Sequence, residues 1–286
     1  MLHYLLERYD RSRFEMDVVS LTEIGTVGEA FREMNTSVNA LRMKRNAPNP
    51  LKIAKLARYL KTNNSSIVQT WLYHADLIGG IAGKFAGIPV VWNLRQSNLD
   101  PSKSKTSTLL TAHLCSNISK FLPARIICCS EASRHTHASM GYDSSRMEVI
   151  GNGIDPVLFK PDPVRGASAR QELGIDPNLH IIGLVGRFHP QKDHQTFVAA
   201  ASKLVSRRNN VRFVLCGEGV DNDNLLLSSW ISKAGLNNHF FLLGERADIS
   251  RITNAFTIAT SSSSFAEGFP NVLVEAMSCG VPCVTT

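Results

Sequence analysis

The feature that most constrains the fold is the regular alternation of short apolar runs with amphipathic stretches. His180 to Val185 is an apolar run followed directly by Gly186, and Val211 to Cys216 is one followed by Gly217. A stretch with helical spacing follows each of them. Strands that alternate with helices in this way predict α/β units built on a parallel sheet.

The same pattern extends over most of the 286 residues. Runs of β-branched and other apolar residues predict the strands, and apolar residues at spacings of three and four predict the helices. The predicted strands are 15–21, 67–73, 88–94, 125–129, 147–150, 180–185, 211–216, 240–243, 256–259 and 282–285. The predicted helices are 50–60, 75–85, 130–140, 167–173, 193–206, 223–234, 249–255 and 270–279.

A glycine- and proline-containing stretch, Gly151 to Pro156, interrupts the alternation and predicts a domain boundary. We therefore expect two Rossmann-like domains, residues 1–153 and residues 154–286, with parallel sheets that face a cleft. The first residues have helical character and the last follow a strand directly. A doubly wound domain normally opens with a strand and closes with a helix, so we expect the first strand of the N-terminal domain and the end of the C-terminal domain to lie outside this sequence.

The net charge of +7 is confined to one half of the chain. Residues 1–150 contain 19 Lys and Arg against 12 Asp and Glu, whereas residues 151–286 contain 12 of each. A basic surface attracts phosphate-bearing ligands or an anionic membrane, and it also serves solubility alone. The basic residues form no run and do not alternate with aromatic residues, which argues against a nucleic-acid partner.

Cysteine spacing and hydropathy indicate the cellular compartment. None of the six cysteines forms a C-x-x-C pair, and four lie in apolar strand-like runs, as reduced buried thiols do. The N-terminus lacks the pattern of a signal peptide. The longest apolar stretch, 77–92, is interrupted by Lys84 and Pro89, so it is not expected to span a membrane. We expect a cytoplasmic protein. Peripheral attachment to the inner face of the membrane is the alternative.

The most specific chemical feature surrounds the predicted helix 270–279. Pro270 suits the first turn of a helix and Gly280 its end, which places Glu267 before the helix and Glu275 within it. The N-terminus of the helix favours a bound diphosphate. Carboxylates accept hydrogen bonds from sugar hydroxyls. Glu267 is therefore predicted to hold a transferred sugar and Glu275 a ribose, although two surface glutamates beside a helix would show the same spacing.

A second feature, the segment from Gly186 to Lys192, follows a predicted strand and so lies at the carboxyl edge of the sheet, where open α/β sheets bind ligands. Arg187 and Lys192 are the cations of this segment. Both can bind a diphosphate and neutralise the charge that grows on it as it leaves. A solvated basic loop is the alternative.

Together, Arg187, Lys192 and the pair Glu267 and Glu275 resemble glycosyltransferase family 4, which has the GT-B fold. The resemblance implies a retaining transferase that uses a UDP- or GDP-linked sugar as co-substrate and requires no metal, and the absence of an Asp-x-Asp motif fits this. It implies that Arg187 and Lys192 bind the diphosphate and that Glu267, with Arg187 and Lys192, acts in catalysis. It further implies a donor-binding segment that comprises Glu267, Gly268, Phe269, Pro270, Asn271, Val272 and Glu275.

The N-terminal half resembles family members that assemble polysaccharide or lipopolysaccharide. This resemblance implies a glycan or lipid-linked acceptor. The residues that carry this likeness are 69–76 and 92–97. His74 is a candidate acceptor-side residue, with a structural role at a strand end as the alternative. Arg95 stands where many members have a histidine near the donor sugar. This departure leaves open whether Arg95 takes over that role.

Two alternatives to a transferase remain at the level of sequence. One is a GT-B sugar-nucleotide epimerase, and the other is a catalytically incomplete fragment that binds a nucleotide sugar. The segment Gly217-Glu218-Gly219 is predicted to be only a tight turn, and Trp71 and Trp92 are predicted to be packed aromatic residues.

Overall fold

The structure is a computed structural model, and it describes residues 1–44, 49–97, 99, 104–265 and 267–286. The chain divides into two compact units, Met1–Gly153 and Ile154–Thr286. Each unit has its own sheet and its own apolar core, and each is described by itself.

The first unit contains two parallel sheets. Strands β1 and β2 pair with each other, and the other four strands form a sheet in the order β3-β4-β5-β6, so that each strand lies beside the next one along the chain. The elements are α1 Leu2–Arg8, β1 Asp17–Ser20, α2 Gly25–Glu33, β2 Ser37–Ala40, α3 Pro50–Thr62, β3 Val68–Gln69, α4 Tyr73–Ala86, β4 Val90–Leu94, α5 Thr106–Ile118, β5 Arg125–Cys128, α6 Glu131–Ser139 and β6 Met147–Val149.

The second unit contains one five-stranded parallel sheet in the order β11-β10-β7-β8-β9. Its first strand lies at the centre and the chain winds outward in both directions, which is the doubly wound arrangement. The elements are α7 Pro163–Glu172, β7 His180–Val185, α8 His194–Val205, β8 Val211–Cys216, α9 Leu225–Lys233, β9 Phe240–Leu242, α10 Ile249–Asn254, β10 Ile258–Ser261, α11 Asn271–Ser278 and β11 Cys283–Thr285.

The fold class is α/β with parallel sheets, as predicted. Several elements differ in detail from the prediction. The strand expected over 67–73 is only Val68–Gln69, and Tyr73 already belongs to α4. Helix α11 begins at Asn271, with Pro270 as its N-cap rather than in its first turn. The sequence pattern did not indicate α2, β2 or α5.

The cores explain why the apolar runs became central strands. Trp92 in β4 and Phe213 in β8 are almost completely buried. Phe213 stacks on Phe240 with ring centroids 4.8 Å apart. Five of the six cysteines are buried and all six are free thiols. Among the described residues, no helix has the length and apolar character needed to cross a membrane.

A buried carboxyl group in the first unit ties β3, β4 and α4 together. Asp76 is completely buried, and its carboxyl accepts hydrogen bonds from the Thr70 hydroxyl and the backbone N–H of Asn93. Its second oxygen, Oδ2, has no hydrogen-bond partner among the described residues. Burial outweighs these hydrogen bonds and raises the pKa of Asp76 to about 8. An unpaired buried carboxylate is costly, so the group folds in its protonated form at neutral pH.

This raised pKa predicts a pH-dependent stability. In the unfolded chain the carboxyl group titrates near pH 4, so between about pH 4 and pH 8 folding takes up a proton. Its contribution to the free energy of unfolding is fully present below pH 4 and declines as pH rises through 8, by up to about 1.4 kcal/mol per pH unit. Asp76→Asn, which stays neutral, is expected to remove this decline. Urea unfolding of both proteins from pH 5.5 to 8.5 measures it, and parallel profiles would contradict it.

Candidate functional site

The candidate site lies at the carboxyl edge of the sheet in the second unit, where three loops are joined by backbone hydrogen bonds. The Gly186 N–H donates to the Cys216 carbonyl at 2.8 Å, and the Gly217 N–H donates to the Gly244 carbonyl at 2.8 Å. Phe188 donates to the carbonyl of Glu218 at 2.7 Å. The loops after β7, β8 and β9 therefore form one connected platform.

Gly217 has a more specific role than the tight turn predicted from the sequence. Its φ is 152°, and a Cβ atom at this position would lie 2.3 Å from the carbonyl oxygen of Gly186. Backbone that approaches this closely leaves room only for glycine. The loop after β7 can thus lie against the loop after β8 because residue 217 has no side chain.

The loop after β10 joins the same edge through its serines. Ser264 donates its backbone N–H to the Gln191 carbonyl at 2.9 Å, and the Ser262 hydroxyl donates to the Lys192 carbonyl at 2.6 Å. These bonds bind the segment that leads into α11 to the segment that carries Lys192.

At this junction Lys192 and Glu267 form an ion pair. The Nζ of Lys192 lies 2.5 Å from Oε2 of Glu267. Both side chains are mostly buried, with exposed fractions of 19% for Lys192 and 25% for Glu267. The hydroxyl of Ser263 also donates to Oε2, at 3.0 Å. The aliphatic part of Lys192 crosses Gly186, where a Cβ atom would lie 3.4 Å from three of its carbons. Two predicted residues that lie 75 positions apart in sequence therefore meet directly.

The other two predicted donor-side residues lie on the same segments without joining this ion pair. Arg187 follows Gly186 and has an exposed side chain. Glu275 lies in the second turn of α11 and is half-buried, and this burial raises its pKa. Of the intervening residues predicted to touch the donor, Gly268 is buried, whereas Phe269, Pro270, Asn271 and Val272 are partly exposed. The first turn of α11 begins here, and the N–H of Leu273 donates to the carbonyl of the N-cap Pro270 at 3.0 Å.

Next to the site, α8 begins with a residue that the sequence did not single out. His194 is 2% exposed, and its ring packs on that of Phe188 with centroids 5.3 Å apart. Burial and, second, the charge of Lys192 lower the pKa of His194 to about 4. The imidazole is therefore neutral at neutral pH and adds no charge beside Lys192.

The loop after β9 is held by a network of four charged side chains. Arg246 binds Asp248 (Nε to Oδ1, 2.8 Å) and Glu172 (3.2 Å), while Arg251 binds Asp248 at 2.8 Å and also Glu172. The hydrogen bonds from Arg246 are the largest cause of a lowered pKa of Asp248. A network with several shared partners holds a loop more firmly than an isolated surface pair. The loop 244–249 is thus fixed to α7 and α10.

The acceptor-side candidates lie in the first unit. His74 is the second residue of α4 and is partly exposed. Arg95 follows β4, donates to the side-chain oxygens of Asn93 and Asn152, and lies over the ring of Trp71 at 5.3 Å. Burial lowers the pKa of Arg95. Trp71 is partly exposed, and one face of its ring is covered by the Arg95 guanidinium.

Within the described ranges, no group of three or more His, Cys, Asp and Glu side chains is arranged to hold a metal ion.

A doubly wound sheet with a lysine–carboxylate pair at its carboxyl edge defines an α/β protein of the Rossmann-like class, in which ligands commonly bind at that edge. Comparison with known families makes this specific. The profile of "Glycosyltransferase Family 4" matches residues 1–158, and that of "Glycosyl transferases group 1" matches residues 167–286. The chain belongs to glycosyltransferase family 4.

The chain also resembles individual curated proteins, at identities of 28% and 30%. The chain is 28% identical over 239 residues to the UDP-Gal:alpha-D-GlcNAc-diphosphoundecaprenol alpha-1,3-galactosyltransferase of Escherichia coli, a match that covers 82% of this chain and 61% of the relative. It is 30% identical to the lipopolysaccharide core biosynthesis mannosyltransferase LpsB of Rhizobium meliloti, over 59% of this chain and 47% of the relative. The chain spans about three-fifths of the length of the Escherichia coli relative and half of that of LpsB.

Solved structures confirm the fold class. Anabaena HepE in complex with UDP-glucose has a TM-score of 0.75 at 26% identity, covering 91% of this chain and 70% of that one. A glycosyltransferase of Rickettsia africae has a TM-score of 0.79 at 18% identity, covering 99% and 74%. The predicted GT-B fold, with two Rossmann-like units, is thereby confirmed.

Proposed function

We propose that the protein is a retaining glycosyltransferase that moves a sugar from a nucleotide-diphosphate donor to a glycan or lipid-linked acceptor during the assembly of a cell-surface glycan. The observation that carries the proposal is the Lys192–Glu267 ion pair at the carboxyl edge of the second sheet, directly before α11. The proposal is supported by the UDP-glucose in the Anabaena HepE structure and by the UDP-sugar in the name of the Escherichia coli relative.

In this proposal the donor binds to the second unit. Arg187, Lys192 and the N-terminus of α11 surround the diphosphate and neutralise the charge that develops as it leaves. Glu267 accepts hydrogen bonds from hydroxyls of the transferred sugar, and Glu275 accepts them from the ribose. The main chain of 268–272 lines the same donor site. The protein needs no metal for these contacts, since the cations come from its own side chains.

In this proposal, transfer retains the anomeric configuration and follows a front-face route. The resemblance to the family implies this route. The bond between the anomeric carbon and the phosphate oxygen breaks while the acceptor oxygen bonds to the same face of that carbon. The acceptor hydroxyl gives its proton to the leaving diphosphate. The first unit takes the acceptor, with His74 and Arg95 as the proposed residues on that side.

Donor binding tests this assignment most directly. Glu275→Ala is expected to leave the protein folded and to weaken binding of the donor by about 1–3 kcal/mol, because a charged acceptor of hydrogen bonds is lost. Calorimetric titration with UDP, UDP-glucose, UDP-galactose, GDP and GDP-mannose identifies the donor, and titration of the variant measures the loss. Glu148→Ala, on the exposed side of β6 in the other unit, is the matched control. Unchanged affinity of the Glu275 variant would remove the ribose assignment.

Product analysis separates a transferase from its two alternatives. Release of the nucleoside diphosphate that depends on an added acceptor indicates transfer. Conversion of one sugar nucleotide into another without acceptor indicates an epimerase. Binding without any turnover indicates an incomplete catalytic unit.

We further propose that the first unit contacts an anionic membrane surface, where a lipid-linked acceptor would reside. Its support is the confinement of the +7 charge to residues 1–150. Leu110 and Phe121 of the same unit are exposed, with fractions of 70% and 71%, and the basic residue Lys120 directly precedes Phe121 in the sequence. A basic surface binds anionic lipid more strongly than neutral lipid. In flotation, the protein is expected to rise with phosphatidylglycerol vesicles and to stay behind with phosphatidylcholine vesicles. Equal recovery with both would contradict the proposal.

A further inference from the structure

The run of four serines after β10 has a structure that its composition did not indicate. The sequence pattern predicts an ordinary loop for Ser261–Ser264, yet Ser261 and Ser262 are only 7% and 8% exposed. Ser261 ends β10, and the following serines lead toward α11. Their hydroxyls point to protein groups, and each of the four makes a hydrogen bond.

Ser263 is the member of this run that touches the ion pair. Its hydroxyl lies 3.0 Å from Oε2 of Glu267, the same oxygen that Lys192 binds at 2.5 Å. The carboxylate paired with Lys192 accepts hydrogen bonds only, so Ser263 is the donor. A hydroxyl has a single proton to donate. The second contact of Ser263, 3.2 Å from the hydroxyl of Ser261, is therefore one in which Ser261 donates.

The backbone of Ser263 is fixed on both sides. Its carbonyl accepts a hydrogen bond from the hydroxyl of Thr286 at 2.9 Å, and the next N–H, of Ser264, donates to Gln191 at 2.9 Å. The hydroxyl is thus presented to Glu267 by a segment that is held both to the residue after β11 and to the segment preceding Lys192.

We propose that Ser263 is a positioning residue for the donor sugar, a role that rests on the proposed function of Glu267. The Lys192 ammonium has three N–H donors, and the proposed site divides them between the diphosphate and the carboxylate of Glu267. In this proposal the Ser263 hydroxyl takes no part in binding the diphosphate and donates to Oε2 of Glu267. It therefore sets the direction in which the carboxylate meets the sugar hydroxyls, while the nucleotide is bound by other residues.

The proposal predicts a selective defect in Ser263→Ala. Affinity for the nucleotide sugar and kcat are each expected to fall about 10-fold, the effect of one hydrogen bond to a charged group. Affinity for the free nucleoside diphosphate is expected to stay within about 2-fold, because that ligand lacks the sugar. Calorimetry with UDP and UDP-glucose, or with GDP and GDP-mannose if these are the ligands bound, measures both.

Two further variants test whether the Ser263 hydroxyl positions Glu267 or only stabilises the local fold. Ser263→Thr keeps the hydroxyl and is expected to recover most of the lost affinity. Ser264→Ala removes a neighbouring, exposed hydroxyl whose contact to the Pro190 carbonyl is 3.5 Å long, and it is expected to behave like the unaltered protein. Thermal unfolding confirms that each variant is folded.

The possible failures are distinct. Equal loss of affinity for nucleotide and nucleotide sugar, a threonine variant as weak as the alanine variant, or full activity in Ser263→Ala would each overturn the role of Ser263 and leave the proposed function intact. If the unaltered protein binds none of the nucleotides or nucleotide sugars, the proposed function and the role of Ser263 fall together.

Discussion

Glu267→Gln is expected to lower the rate of sugar transfer by about 100-fold or more, the range for removing one preorganised polar contact to a transition state. Glutamine has the same shape, so the protein is expected to fold normally. It removes the negative charge that Lys192 binds at 2.5 Å, and it replaces a carboxylate that only accepts hydrogen bonds by an amide that also donates. The sugar hydroxyls and the Lys192 ammonium then lose a charged acceptor and keep only the single carbonyl oxygen of the amide.

Steady-state kinetics with the identified donor measure this effect. The fall is expected mainly in kcat, with affinity for the free nucleoside diphosphate preserved, because Glu267 is assigned to the sugar and not to the nucleotide. Glu148→Gln, in the first unit, controls for the loss of one negative charge. Transfer within about 3-fold of the unaltered rate would show that the carboxylate has no part in the transition state.

The strands of the second unit show how far sequence determines the fold. The bounds of β7 and β8 were predicted to the residue, because each is a buried run followed by a glycine at which the chain turns. Central strands of a parallel sheet are buried on both faces, so their apolar runs are continuous and easy to recognise.

Other elements depend on contacts that sequence spacing does not encode. Strand β2, Ser37–Ala40, has one buried residue and alternates weakly, and it is stabilised by its pairing with β1. Helix α5 is rich in Thr and Ser and has exposed Leu110 and Leu114, so its apolar residues define no clear face. Tertiary packing, rather than local preference, decides the structure of such segments.

The same division applies to the site. The motif and strand-end position predicted Lys192 and Glu267, and the structure brings these two together across 75 positions of sequence. The hydroxyl of Ser263 gave no signal of its own, and Gly217 indicated a turn but not the close approach of two loops. Their significance arises only where loops from different strands meet, which a pattern along one chain does not describe. The roles of Arg187 and Glu275 remain predictions that the donor titrations test.

Lys192→Met is expected to reduce kcat by about 100- to 1000-fold, the range for removing one group that stabilises charge developing in a transition state. The leaving diphosphate gains negative charge as its bond to the sugar breaks, and Lys192 is the partly buried cation assigned to it. Methionine preserves the aliphatic packing across Gly186 while removing the charge. Lys192→Arg is expected to recover only part of the activity, since a planar guanidinium does not fit the place of a compact ammonium.

The ion pair makes a double substitution the sharpest measurement. If Lys192 and Glu267 act as one unit, the loss in Lys192→Met with Glu267→Gln is smaller than the product of the single losses, because each single change leaves the other partner unpaired in a site that is mostly buried. Lys203→Met, on the exposed side of α8, is the matched control and is expected to retain full activity. Losses that multiply without coupling would mean that the two side chains serve transfer separately.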